Sequence, residues 1–243
     1  MRSPLPPPPR RRLHLAEAFS AGAKESFLAY RTRVAPTMPG TAASGSPFWH
    51  SFNYGRVHFV AFDIDQPWQN GSAQYNWIAA DLAAVDRAAT PLVFAFQHFP
   101  LLCSNNFWCY DGSGTAQSFR KLYEPLFNAA ATRVHMYLSG HVHAAEIMYP
   151  LATDALVPSQ MDFTKVQTVF QVMAGFPGDE EVCCNSWQKP RPSWSAWRLD
   201  DVDADGGTFG FSTWTFKSDS EVSLSFWNAE NRTLLTTVDV TFA

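Results

Sequence analysis

Two apolar runs of strand length, each closing on a histidine and separated by a helical stripe, constrain the fold of this chain more than any other feature. "PLVFAFQH" ends at His98, and "RVHMYLSGHVH" ends at His141 and His143. Between them Phe119, Leu122, Tyr123, Leu126 and Phe127 recur at helical spacing. Upstream, "RVHFVAFDID" reads as another buried strand. "AQYNWIAADLAAVDRA" follows it as a helix carrying Trp77, Ile78, Leu82 and Val85, with Pro91 beyond as a stop. Strand, helix, strand, helix, strand predicts βαβ units whose parallel strands are buried on both faces. Right-handed crossovers then bring the loops at the carboxyl ends of the strands to one edge, where open α/β sheets hold their sites. His98, His141 and His143 share that edge.

The flanks read differently. "FWHSFNYG" ahead of "RVHFVAFDID" predicts a hairpin with Asn53, Tyr54 and Gly55 as its turn. After "VQTVFQVMAG", the runs "GTFGFSTWTFKS" and "EVSLSFWNAENRTLLTTVDVTF" predict an antiparallel meander. The first twelve residues, "MRSPLPPPPRRR", can form neither helix nor ladder, and residues 1–18 are expected to be a disordered head. No apolar stretch follows that head, so it does not read as a signal peptide. No apolar run reaches the eighteen or so residues that span a bilayer. With 46% hydrophobic and 16% charged residues among 243, the chain is expected to bury a core. A net charge of −4 argues against nucleic acid as a partner, because phosphate-dominated binding needs a basic face.

The chemistry is carried by imidazoles. An H-x-H on extended or looping backbone presents two of them to a metal, and His98 on the same edge supplies a third. Asp63 and Asp65 follow a strand towards that edge and read as turn or cap residues. Four cysteines stand as Cys103 with Cys109 and as the adjacent Cys183 and Cys184, without metal-ligand spacing. Asn70-Gly71-Ser72 and Asn231-Arg232-Thr233 are glycosylation acceptor sequences, each beside turn-forming residues.

"FAFQHFPLLCSNN" followed by a helix and "LSGHVH" resembles the last two metal-ligand blocks of the calcineurin-like metallophosphoesterases, and in detail the purple acid phosphatases. "FWHSFNYGRVHFVAFD", "VFQVMAGFPGDEE", "WSAWRLDD" and "FSTWTF" extend the resemblance over most of residues 20–243. It implies an α/β sandwich of mixed sheets flanked by helices, with residues 19–243 as a partial catalytic domain that includes its closing strands. It also implies hydrolysis of phosphate monoesters at acid pH by metal-bound hydroxide at a two-metal site. His98 and His141 would ligate a divalent ion (Zn²⁺, Mn²⁺ or Fe²⁺), and His143 would ligate a ferric partner. The loop after His98, with Asn105, Asn106, Phe107 and Trp108, would face substrate, and Cys103 and Cys109 would close it as a disulfide or stand as free thiols. Secreted, vacuolar or lysosomal residence is implied as well.

The family's first three blocks, D-x-G, G-D-x-x-Y and G-N-H-E, are not found ahead of His98. The expectation is therefore a fold lacking its amino-terminal part, with a chain inactive on its own. Two further readings stand beside it. One is a non-catalytic binding domain with at most one weakly held metal, and the other is a mononuclear three-histidine hydrolase.

Overall fold

The structure, a computed structural model, describes residues 27–33, 35–38, 40–105, 115–152, 156–176, 187–199 and 208–243. The Pro/Arg-rich head, Asn106, Phe107, Trp108, Cys109, Cys183 and Cys184 lie outside them. The chain divides into two units, Met1–Thr37 and Met38–Ala243. In the first, helix α1 (Leu28–Arg33) is followed by a 3₁₀ turn, Ala35–Thr37.

The second unit opens with α2 (Thr41–Ser44) and the hairpin of β1 (His50–Tyr54) and β2 (Val57–Ala61). Tyr54 pairs with Val57, so the turn is Gly55–Arg56, two residues later than the sequence predicts. Gly55 takes φ of +57°, which a two-residue hairpin turn demands and which Asn53 and Tyr54 would adopt only at a cost. Asn53 instead remains in the strand, its Oδ1 2.6 Å from a ring nitrogen of His58. The other nitrogen of His58 lies 2.9 Å from Asp81, which ties the hairpin to helix α3 (Ala73–Ala84).

Helix α3 starts where Ser72 accepts from the Tyr75 N–H at 3.1 Å, a side-chain cap on the first turn. It buries Ile78 and Leu82, one turn apart as predicted. Strand β3 (Leu92–Phe96), helix α4 (Thr115–Asn128), β4 (Met136–Ser139), β5 (Ala145–Met148), β6 (Phe170–Ala174) and β7 (Ser195–Arg198) follow. The seven strands form one mixed sheet in the order β1-β2-β3-β4-β6-β5-β7, in which β2, β3, β4 and β6 run parallel. A three-stranded antiparallel meander completes the unit: β8 (Gly210–Phe216), β9 (Glu221–Asn228) and β10 (Leu234–Thr241).

Alternation along the parallel strands explains the layers. One face of the large sheet sends Val57, Leu92, Phe94 and Met136 into a core shared with Val222, Leu224, Phe226 and Val240 of the meander. The other face sends Val60, Val93, Ala95 and Tyr137 against Ile78 and Leu82 of α3 and Phe119, Tyr123 and Phe127 of α4. Each such side chain, fully buried, stabilises the fold by roughly 1.5–3 kcal/mol. This is the mixed-sheet α/β architecture that the family resemblance implies.

His135, just ahead of β4, gives a pH-dependent component of stability. The Val93 N–H donates to its Nδ1 at 3.0 Å, and burial beside Arg133 and Arg87 lowers its pKa from 6.5 to about 3. Between those values the unfolded chain takes up a proton that the folded chain refuses, so stability falls as pH drops below 6.5. The expected loss is about 1.6 kcal/mol between pH 6.5 and 5, the slope approaching about 1.4 kcal/mol per unit. Urea unfolding across that range should show it. His135→Asn, whose Oδ1 can still accept from Val93, should flatten the profile.

Candidate functional site

The carboxyl ends of the parallel strands assemble the edge. Asp63 and Asp65 follow β2, His98 follows β3, Gly140 and His141 follow β4, and Gly175 follows β6. His98 and His141, 43 residues apart, meet there with His141 Nδ1 2.9 Å from His98 Nε2 and the rings near-perpendicular at 82°. Phe99 stacks on the His141 ring with centroids 4.0 Å apart.

Backbone hydrogen bonds set this meeting. The Gly140 N–H donates to the His98 carbonyl at 3.0 Å, clamping the two strand ends together. The Val142 N–H then donates to Gly140 O at 2.8 Å, and Ala144 N–H to Val142 O at 2.7 Å, so the chain folds tightly through the histidine pair. His141 takes φ of +65°. A side chain rarely holds that conformation unless surrounding structure imposes it. His141-Val142-His143 is thus a strained turn, and His98 and His141 are brought together by the turn rather than by strand alternation. His143 lies within electrostatic reach of His98.

The loop after His98 is braced from below. Tyr137 Oη donates to Phe99 O at 2.6 Å, and Gln97 Nε2 reaches the same carbonyl and Tyr137 Oη, each at 2.6 Å. The Phe99 N–H donates back to Gln97 Oε1 at 2.9 Å. This network fixes the ring that packs on His141.

Burial and the neighbouring charges oppose each other at His98. Burial pushes His98 below the usual histidine value, Asp65 and Asp63 pull it back, and His143 opposes them. Asp63 is itself raised by burial. Its Oδ1 accepts from the Asp65 N–H at 2.9 Å, and its backbone is held on both sides by the Gln74 amide, at 2.9 and 2.8 Å. Asp63 is a turn residue, as its sequence context predicts.

A tetrahedral ion with nitrogen bonds of about 2.0–2.1 Å holds two nitrogens about 3.3–3.4 Å apart. The 2.9 Å between His98 Nε2 and His141 Nδ1 is shorter, the length of a hydrogen bond between the two rings. Among the described residues, no group of three His, Cys, Asp or Glu side chains is arranged to hold a metal ion. The described residues present a donor pair there.

Of the loop residues expected to face substrate, Asn105 is fully buried and bridged antiparallel to Trp187. Cys103 is disulfide-bonded. Beneath this loop lies a cluster that sequence reasoning missed. Glu146, fully buried in β5, accepts from the Ser104 N–H at 2.8 Å and from Ser195 Oγ at 2.6 Å. Arg198 donates to Ser104 Oγ at 3.2 Å and to the Gln188 carbonyl at 3.1 Å, and stacks 5.2 Å above the Trp187 ring. A charged residue within the apolar run "AAEIM" is the signal that marked Glu146.

No family model matches the chain. It is 27% identical over 175 residues to phosphoenolpyruvate phosphatase of Allium cepa, a match covering 71% of this chain and 35% of that protein. Purple acid phosphatase 1 of Ipomoea batatas is 26% identical over 184 residues, 73% of this chain and 37% of its own length. The chain thus spans about a third of the length of the curated relatives it matches. A solved purple acid phosphatase, PPD1 from yellow lupin seeds, superimposes with a TM-score of 0.67 at 22% identity, covering 80% of this chain and 32% of that one. That likeness shows the fold.

Proposed function

We propose that this chain, homologous over 71–73% of its length to purple acid phosphatases, carries the carboxyl-terminal part of a metal-dependent hydrolase of phosphate monoesters. The observation that supports this reading best is the pairing of His98 and His141 at the carboxyl edge, with nitrogens 2.9 Å apart. In this reading His98 and His141 hold a divalent ion, such as Zn²⁺, Mn²⁺ or Fe²⁺, and His143 serves a ferric partner. Bound metals would supply the charge that clamps a phosphate and acidifies water. The chain's own part is to present the imidazoles, with Phe99 packed on one and the Gln97–Tyr137 pair holding Phe99 in place. Secreted or vacuolar residence belongs to the same reading, which the Cys103 disulfide favours because such bonds persist in oxidising compartments.

The donor pair without a third described ligand favours a second reading for the chain on its own. It would then be a binding domain holding at most one metal weakly, and inactive by itself.

Titration of the purified 243-residue chain with Zn²⁺ by calorimetry tests the assignment. One equivalent is expected to bind, and binding should weaken by tenfold or more in His98→Ala and in His141→Ala. It should also weaken as the solution is acidified, because a protonated imidazole cannot bind metal. Absence of binding would remove the metal assignment. Turnover of p-nitrophenyl phosphate should be negligible, and metal-dependent turnover lost in His141→Ala would overturn the inactive reading.

A further inference from the structure

The β9–β10 turn carries a feature that the phosphatase reading does not use. Asn231 is exposed in this turn, and its Oδ1 accepts both the Thr233 N–H, at 3.0 Å, and the Thr233 hydroxyl, at 2.7 Å. The turn is closed by the Asn228 N–H donating to Thr233 O at 2.9 Å and by the Arg232 N–H donating to Asn228 O at 3.0 Å. With Oδ1 occupied, the Nδ2 amide is left on the side away from Thr233. The acceptor sequence at Asn70 is placed differently, because the hydroxyl of its Ser72 is committed to capping α3.

Immediately beside the turn, the first pairs of the meander put three apolar side chains on one face. Trp227 pairs with Phe211 of β8 and with Leu234 of β10, and cross-strand partners share a face. Phe211 and Trp227 lie nearly parallel at 13°, with ring centroids 6.5 Å apart. Phe211 is 43% exposed and Leu234 51%. Further along the face the rows turn polar: Thr213 with Ser225 and Thr237, then Thr215 with Ser223 and Asp239. The Trp227 indole N–H donates to Thr213 Oγ1 at 3.0 Å, which holds the ring flat on the sheet. The apolar area is therefore a small shelf confined to the end that bears Asn231.

We infer that Asn231 is an N-glycosylation site whose first sugar packs on the Phe211–Trp227–Leu234 shelf. In the modification, Nδ2 attacks the anomeric carbon of an oligosaccharide carried on a lipid diphosphate. A C–N bond forms, the C–O bond to the diphosphate breaks with its electron pair, and Nδ2 gives up one proton to the transferase. The sugar's apolar ring face and acetyl group then cover aromatic surface that the fold leaves in water. The disulfide at Cys103 favours an oxidising compartment of the kind that houses this chemistry.

The full chain, secreted from a eukaryotic host behind a cleavable leader, tests the inference. After trimming with an endoglycosidase that leaves one N-acetylglucosamine, peptide mapping should find that sugar on Asn231. Asn231→Gln and Thr233→Ala should each abolish it, and Asn70→Gln should leave it in place. The trimmed protein should melt about 2–4 °C above the same sequence made without the sugar in a bacterial periplasm. That difference should vanish in Phe211→Ser, an exposed change the fold tolerates, and in Trp227→Ser. An unmodified Asn231 overturns the site, and a melting difference that persists in both aromatic variants overturns the shelf.

Discussion

Replacing Glu146 by alanine is expected to destabilise the protein by about 3–5 kcal/mol, the range found when one partner of a buried charged cluster is removed. Glu146 lies at 0% exposure on β5, the strand that pairs with β6 on one side and β7 on the other. Burial alone raises its pKa, whereas the bonds from Ser104 and Ser195 and the charge of Arg198 lower it. Deleting the carboxylate therefore strands a backbone N–H, a hydroxyl and part of a guanidinium's field in the interior, each costly without a partner. At about 2–4 °C per kcal/mol for a chain of this size, the melting temperature should fall by roughly 10 °C. Glu146→Gln keeps one acceptor but turns an NH₂ towards the other donor, and should fall between. The double variant Glu146→Leu/Arg198→Met should lose less than the sum of its single changes, because it removes both charges together. A loss under about 1 kcal/mol for Glu146→Ala would sink this account of the cluster.

This cluster also marks how far the sequence could be read. The parallel strands, α3, α4 and the meander were legible because their apolar runs, helical stripes and alternation are clean: "LVFAF", Ile78 with Leu82, and Phe119 with Tyr123 and Phe127 bury the faces they promise. The convergence of His98 and His141 was legible as well, since parallel strands of similar length must end on one edge. Strand β5 was not, because four residues, "AEIM", give no period and a buried glutamate breaks the apolar signal. The positive φ at His141 was invisible for a different reason. It is imposed by hydrogen bonds between segments far apart in sequence, and no local pattern encodes it. Asn105, read as a loop residue facing substrate, illustrates the same limit. Its neighbour Ser104 is held by Glu146 and Arg198, 42 and 94 positions away, and Asn105 goes inside with it.

Gly175 ties the fold to the site, and Gly175→Ala is expected to cost the chain its Zn²⁺ binding. A Cβ at this position would stand 2.0 Å from the Val142 carbonyl oxygen and 3.0 Å from its carbon. Both are backbone atoms, so no flexible side chain can yield, and the turn between His141 and His143 must move. The Gly175 N–H donates to Ala144 O at 2.9 Å, which holds β6 against the same turn and blocks relief in the other direction. Forcing atoms into packed structure of this kind costs about 1–3 kcal/mol. Functionally, the larger effect is the shift of His141 relative to His98, because a cation tolerates little change in its nitrogen spacing. Zn²⁺ affinity should drop at least as far as in His141→Ala, with the protein still folded by circular dichroism. Gly140→Ala is the internal comparison. Its Cβ would meet only the His98 carbonyl, at 3.9 Å, an ordinary contact, so binding should be retained although Gly140 is next to His141 in the chain. Equal losses in the two variants would show that any added methyl near the edge is harmful. Loss confined to Gly175→Ala would locate the control of the histidine pair in the close approach of β6 to the turn.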